Sequence, residues 1–122
     1  MKFKRQKNTL PKGYLLTHYR IEKPIGGGGF SYVYLATDEK TGDPVAIKEY
    51  LPSSQAQRVD DSRVEPLTED TATAFRQGIK RFFDEAAALA RINHPNIVRV
   101  VNFFRANNTV YMVMRYEHGR DL

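Results

Sequence analysis

Three features of this chain combine residue type and spacing in a way that can do chemistry: the glycine cluster Gly26–Gly29, the lone cation Lys48, and Glu85. Gly26 and Gly28 carry no Cβ, so the backbone there can bend closely over a ligand. Its N–H groups can then face phosphate oxygens. Lys48 closes the apolar run Val45-Ala46-Ile47, and one lysine neutralises one phosphate group. Glu85 stands three residues after Phe82 and four before Leu89. On a helix that spacing places it on or beside the apolar stripe, where a carboxylate is costly without a partner. Each feature also has a plainer reading: a flexible hairpin tip, a strand-end lysine reaching water, and a surface pair of Glu85 with Arg81.

The elements that must position these groups follow from periodicity. Tyr19–Ile25, Phe30–Thr37 and Val45–Leu51 read as three strands around a glycine turn and a Thr41-Gly42-Asp43-Pro44 turn, with Pro52 ending the third. A strand after the glycines excludes the dinucleotide-binding fingerprint, which requires a helix there. Ser53–Asp70 is polar and without period, so an insertion-like loop with one short helix is expected. Thr73–Ile92 reads as a helix, with Phe75, Phe82 and Leu89 recurring every seven residues and Ile79 and Ala86 filling the stripe. Thr71 or Thr73 is the expected cap. Gly78 costs about 1 kcal/mol against alanine there, predicting a kink or a later start. Asp84 falls on the polar face with Lys80, Arg81, Ala88 and Arg91. Asn93-His94-Pro95-Asn96 ends the helix. Ile97–Phe104 and Thr109–Tyr116 complete five strands, joined by an Asn107-Asn108 turn.

Composition narrows the function classes. At 122 residues, 41% hydrophobic, the chain supports one modest core, and without cysteine it has no disulfide or thiolate metal site. His18, His94 and His118 lack zinc-ligand spacing. No apolar run reaches the roughly 18 residues that span a bilayer, and no secretory signal is present, so the expected location is cytoplasmic. The net charge of +5 belongs to Lys2, Lys4, Arg5, Lys7 and Lys12, since the remaining 14 basic residues balance 14 acidic ones. Residues 1–12 are therefore expected to be a disordered basic arm, dispensable for folding, with residues 13–122 as the domain. No aromatics interleave a single-strand platform with those cations, so specific nucleic-acid binding is not expected.

The order glycine hairpin, Phe30, Val33 two after Ser31, then Val-Ala-Ile-Lys resembles the protein-kinase signature from about Tyr19 to the end of the chain. It most resembles the ATP-binding amino-terminal lobe of bacterial-type serine/threonine kinases, some of which carry a similar IKEYLPS. The resemblance implies an α+β fold: a five-stranded antiparallel sheet with one main helix, ending just after the hinge. It also implies ATP as ligand and transfer of its γ-phosphoryl group to a protein hydroxyl by the parent enzyme. Lys48 and Glu85 would be the catalytic pair, with Glu85 positioning Lys48 on the α- and β-phosphates. Gly26, Gly27, Gly28, Gly29, Phe30 and Ser31 would cover the phosphates. Ile25, Val33 and Ala46 would hold adenine, Met114 would be the gatekeeper, Arg115, Tyr116 and Glu117 the hinge, and Asp121 the ribose partner.

Two departures qualify the resemblance. Ser31 replaces the family's third glycine, predicting tuning of the loop, while Gly27 and Gly29 at variable positions make it unusually flexible. His118-Gly119-Arg120-Asp121-Leu122 imitates the catalytic H-R-D-L, but it has an extra glycine and directly follows the fifth strand, so that reading is rejected. The catalytic base and magnesium ligands are expected with a carboxy-terminal lobe that would also bind protein substrate. This chain alone is expected to be inactive. It is also expected to self-associate through surface the other lobe would cover. The alternative is a non-catalytic, pseudokinase-like or regulatory interaction module.

Overall fold

The computed structural model describes residues 8–92 and 99–116. Its elements are β1 (Leu15–Leu16), β2 (Tyr19–Gly28), β3 (Ser31–Asp38), β4 (Pro44–Tyr50), β5 (Ala56–Arg58), β6 (Val64–Pro66), α1 (Glu69–Ala90), β7 (Val100–Ala106) and β8 (Thr109–Arg115). The main sheet is antiparallel, in the order β1-β2-β3-β4-β8-β7. It contains the five expected strands plus the two-residue β1. The β7–β8 turn sits on Asn107 and Asn108, both at positive φ (55° and 66°), the backbone that lets a two-residue hairpin follow the twist of its strands.

Side-chain alternation divides this sheet into two faces. Tyr34, Ala36, Val45, Ile47, Tyr111 and Val113 form one, packed with Leu10, Leu16, Tyr19 and Ile21. The sheet curls on this side: Asn102 Nδ2 donates to the Tyr19 hydroxyl at 3.0 Å, and Tyr19 stacks on Phe104 across the two strands. Ala46, Tyr50, Val110, Met112 and Met114 share the other face, which α1 covers with Phe75, Ile79, Phe82, Ala86 and Leu89, the stripe legible in the sequence.

The helix begins earlier than its apolar period suggests. Thr68 is the N-cap, accepting from the Thr71 N–H, while the Thr71 hydroxyl accepts from the Thr68 N–H. Glu69 and Asp70 follow in the first turn, where the helix dipole favours acids. Thr71 is thus a partner in the cap and Thr73 lies inside the helix. The helix runs through Gly78. A Cβ there would stand 1.7 Å from the Tyr50 hydroxyl oxygen and 2.6 Å from Cζ, so glycine is required by close packing. Tyr50 cannot easily move aside, because it stacks on Phe75 and tilts against Phe82.

Two sequence expectations are corrected here. Residues 53–70 are not an irregular loop with a short helix. They hold the β5–β6 hairpin, whose Ala56 and Val64 are buried against Leu51, Phe75 and Val110, and their last two residues, Glu69 and Asp70, already open α1. The hairpin is also pinned to the β7–β8 turn, since Val64 N–H donates to the Asn107 carbonyl and Asn108 Nδ2 to the Val64 carbonyl, each at 2.9 Å. Three-residue strands are too short to display a period, and their burial comes from distant partners. The arm, in turn, is ordered where it is described: Thr9 and Leu10 are buried, and Leu10 sits in the core of the curled face. A lone leucine among polar residues gives no periodic signal. Residues 1–7, where four of the five cations lie, are outside the described residues, as is the start of the expected fourth strand at 97 and 98.

Leu10→Ala is expected to lower stability by about 2–4 kcal/mol, as for other buried leucines, read from the urea midpoint; a wild-type midpoint would place Leu10 outside the core. Gly78→Ala is expected to destabilise by roughly 1–3 kcal/mol through overpacking, despite alanine's better helix propensity. In a Tyr50→Ala background the same change should become neutral or stabilising, and an unchanged sign in this double-mutant cycle would dismiss the clash.

Candidate functional site

The β2–β3 hairpin carries the glycines at its tip, with Gly28 opposite Ser31. The strict demand for glycine falls on Gly27, where φ is +100° and a Cβ would lie 2.2 Å from the Ser31 carbonyl oxygen. Gly26 has open space around its Cβ position and no positive φ, so the weight given to it in the sequence reading rests on ligand approach alone. The tip is also laced to the end of β4. Leu51 N–H donates to the Phe30 carbonyl at 3.0 Å, and Ser53 N–H donates to the Gly29 carbonyl at 2.7 Å. The Ser53 hydroxyl donates to that same carbonyl at 3.2 Å. These bonds restrain a loop that composition alone marks as unusually flexible. Phe30 stands 75% exposed at its apex.

Register then sets the lysine. Gly26 pairs with Val33, Val33 with Lys48 and Lys48 with Met112, one row running across four strands. The next row on that face is Leu35, Ala46 and Met114. Val33, Ala46, Met114 and Tyr116 belong to one cluster with Ala86, Val100 and Met112, against which Leu89 and Phe82 also pack. The structure therefore brings Lys48, Val33, Ala46 and Met114 together beside the glycine tip, with Ile25 exposed on the adjoining strand. Ala46 is fully buried and Lys48 half-buried.

Glu85 lies between Phe82 and Leu89, next to the buried Ala86, on the margin of the face that α1 turns to this cluster. The far side of the helix is marked by the exposed Lys80–Asp84 pair at 2.9 Å. Glu85 is itself exposed. Among the described residues it is ion-paired neither with Lys48 nor with Arg81, and Lys48 has no ion pair. Arg115 is exposed at the end of β8. Glu117, Asp121 and the His94-Pro95 turn lie outside the described residues.

Sequence reasoning missed the group beside Lys48. Glu49 points through the opposite face and is fully buried. Its Oε1 accepts from the Tyr34 hydroxyl at 2.7 Å and from Arg58 Nη2 at 2.5 Å, and its Oε2 accepts from the Tyr111 hydroxyl at 2.5 Å. Arg58 also donates through Nε to the Asn8 carbonyl at 3.0 Å and through Nη1 to the Ser62 carbonyl. Leu10 N–H donates to the Tyr34 hydroxyl at 3.0 Å, and Asn107 Nδ2 to that of Tyr111 at 2.9 Å. The available signal was a glutamate on the inward parity of an apolar strand, with tyrosines at matching parity on two others. Burial, then the Glu49 charge, pushes the Tyr34 and Tyr111 hydroxyls well above the ordinary tyrosine range. For Arg58, burial works against the charged form, and the adjacent carboxylate outweighs it, so its pKa is raised.

Comparison with known proteins decides the family. The protein kinase domain family matches residues 19–122. The chain belongs to the protein kinase domain family. PpkA-294 in its apo form superposes with a TM-score of 0.86 at 39% identity, over 89% of this chain and 39% of that one. The Mycobacterium tuberculosis PknI kinase domain superposes at 0.60 and 23% identity over 88% of this chain and 36% of that one, a likeness of fold. Among curated proteins, the Schizosaccharomyces pombe serine/threonine-protein kinase srk1 is 29% identical, over 88% of this chain and 17% of its own length. The Oryza sativa CBL-interacting protein kinase 19 is 33% identical, over 90% and 18%. This chain thus spans under a fifth of those two relatives' length, in the region of the kinase amino-terminal lobe. Its curled antiparallel sheet and single long helix have that lobe's fold.

The kinase residues present fit a nucleoside triphosphate unevenly. The glycine tip and half-buried Lys48 suit its phosphates directly. The apolar row of Val33, Ala46 and Met114 suits a flat base, but Ala46 has no exposed surface, so a base would enter by parting the side chains that cover it. Among the described residues no group of three or more histidine, aspartate or glutamate side chains is placed to hold a metal ion.

The buried tyrosines predict an alkaline limit. Both stay protonated in the fold while the unfolded chain ionises near pH 10. Above that pH the unfolded state therefore binds fewer protons, and stability falls as pH rises by about 1.4 kcal/mol per pH unit for each tyrosine. Tyr34→Phe should make this slope shallower, as measured by urea unfolding between pH 9 and 11; an equal slope would mean that Tyr34 ionises freely in the fold.

Proposed function

We propose that this chain is the ATP-holding lobe of a bacterial-type, cytoplasmic serine/threonine protein kinase. The observation that carries the reading is the placement of Lys48 two residues beyond Ala46 on one face of β4, in the same cross-sheet row as Gly26 and Val33. In this reading the glycine tip covers the phosphates and Lys48 neutralises charge on the α- and β-phosphates. Val33, Ala46 and Met114 form the base shelf, with main-chain groups of Arg115 and Glu117 bonding adenine and Asp121 the ribose. Glu85, at the margin of the helix face, orients Lys48 once α1 is seated closer to the sheet. Protein substrate, magnesium and the catalytic base belong to the other lobe of the parent kinase. Phosphoryl transfer depends on positioning and charge neutralisation by both lobes. Surface that the second lobe would cover favours self-association of the isolated chain.

The 122-residue polypeptide is expected to bind ATP weakly, to lose about tenfold or more of that affinity in Lys48→Met, as for a charge-assisted contact, and to transfer no phosphate. Titration of both proteins with ATP, followed by amide chemical shifts, measures the first two. Incubation with labelled ATP, magnesium and a basic protein measures the third. Equal ATP binding by the two proteins would favour a non-catalytic regulatory module. Label incorporation above the Lys48→Met control would show a complete catalytic apparatus in this chain.

A further inference from the structure

We propose that Ser53 is a positioning residue for the glycine hairpin, clamping the Gly29 carbonyl with two donors so that the tip is ordered before a ligand's phosphates arrive. The inference deepens the nucleotide reading and rests on it. Four consecutive glycines lose more conformational freedom on ordering than any other four residues would. A ligand that had to order them itself would bind correspondingly less tightly.

Ser53 meets that cost within the protein. Its N–H lies 2.7 Å and its hydroxyl 3.2 Å from the Gly29 carbonyl oxygen. Leu51 N–H holds the neighbouring Phe30 carbonyl at 3.0 Å. The ladder between β3 and β4 thereby continues past its last residue pair, Ser31 with Tyr50, around the tip itself. Ser53 stands five residues after Lys48, so the clamp fixes the tip relative to the strand that carries the phosphate-neutralising charge. Ser53 is exposed and belongs to no apolar cluster, so its role in the core is small.

Two substitutions at Ser53 open the clamp to different degrees. Gln55 N–H donates to the Pro52 carbonyl at 3.0 Å, which makes Ser53 the second residue of a turn. Proline is favoured at that position. Ser53→Pro removes both donors and sets its Cδ where the N–H met the Gly29 carbonyl, so it forces the clamp open, whereas Ser53→Ala removes the hydroxyl alone.

The test compares the wild-type chain with both variants. Backbone ¹⁵N relaxation without ligand should show increased motion of Gly28, Gly29 and Phe30 in Ser53→Pro, with a smaller increase in Ser53→Ala. The Kd for ATP should rise about three- to tenfold in Ser53→Pro and about twofold in Ser53→Ala, the range for losing neutral hydrogen bonds. The Kd for adenosine, which has no phosphate, should not change. Unaltered tip motion would overturn the clamp, as would equal weakening for adenosine and ATP, or ATP binding that is unchanged or tighter. If the wild-type chain binds neither ligand, the nucleotide reading fails, and the relaxation comparison still decides whether Ser53 orders the tip. Should Ser53→Pro not fold, Ser53→Ala carries the same comparison at its smaller amplitude.

Discussion

The buried Glu49–Arg58 ion pair is the constraint on which the rest of this lobe depends. Both side chains are fully removed from water, and a carboxylate so placed is tolerated only when its oxygens are filled by donors. The donors come from three strands: Tyr34 on β3, Tyr111 on β8 and Arg58 on β5. Arg58 in turn needs the Asn8 and Ser62 carbonyls, which draws in the segment before β1 and the turn of the small hairpin. One desolvated charge therefore dictates the mutual position of four chain segments distant in sequence. Such a pair need not add net stability over an apolar substitute. What it imposes here is geometry.

That geometry serves the opposite face. Glu49 and Lys48 are adjacent on β4 and point to opposite sides, so fixing one fixes the other's strand. Inside the curl, the carboxylate holds β3, β4 and β8 in register. Outside it, the same registers align Gly26, Val33, Lys48 and Met112 in one row and place Ala46 beside Met114. The small hairpin that Arg58 anchors also packs Ala56 and Val64 against Phe75 and Leu51. The helix bearing Glu85 is thus supported from the inner network through the hairpin. Tyr50 against Gly78 gives it a second, direct contact with β4. In this seating Glu85 is exposed and not paired with Lys48, so the helix–strand distance is the variable left for the charge pair.

The main strands, the helix and the lysine row were legible because each shows its own period. Alternation marks β2, β3, β4 and β8, and the seven-residue recurrence of Phe75, Phe82 and Leu89 marks α1. What escaped were features whose signal is not periodic. Leu10 is a single apolar residue among polar ones. β5 and β6 are three residues each. Thr68 lies before the first apolar residue of the stripe. The lacing of the glycine tip was hidden because backbone donors and one serine hydroxyl carry it, and neither has a pattern. Glu49 escaped because a glutamate beside a lysine looks like a solvated end of a strand.

The sequence by itself determined the family resemblance, the strand order along the chain and the residues that line one face of the sheet, because local alternation and turn chemistry are written in neighbouring residues. It also determined that the charge excess lies within the first twelve residues. Only the tertiary structure decided that residues 8–10 join the core and that residues 56–66 form a docked hairpin. It alone decided that, among the described residues, Gly27 and Gly78 are the glycines with no room for a side chain. Those outcomes depend on which distant groups meet: a carboxylate with an arginine nine residues away and a tyrosine 62 away, and a helix backbone with a tyrosine ring. Contacts of that range leave no local period, since satisfying a buried charge or filling a packed gap is a property of the assembled core.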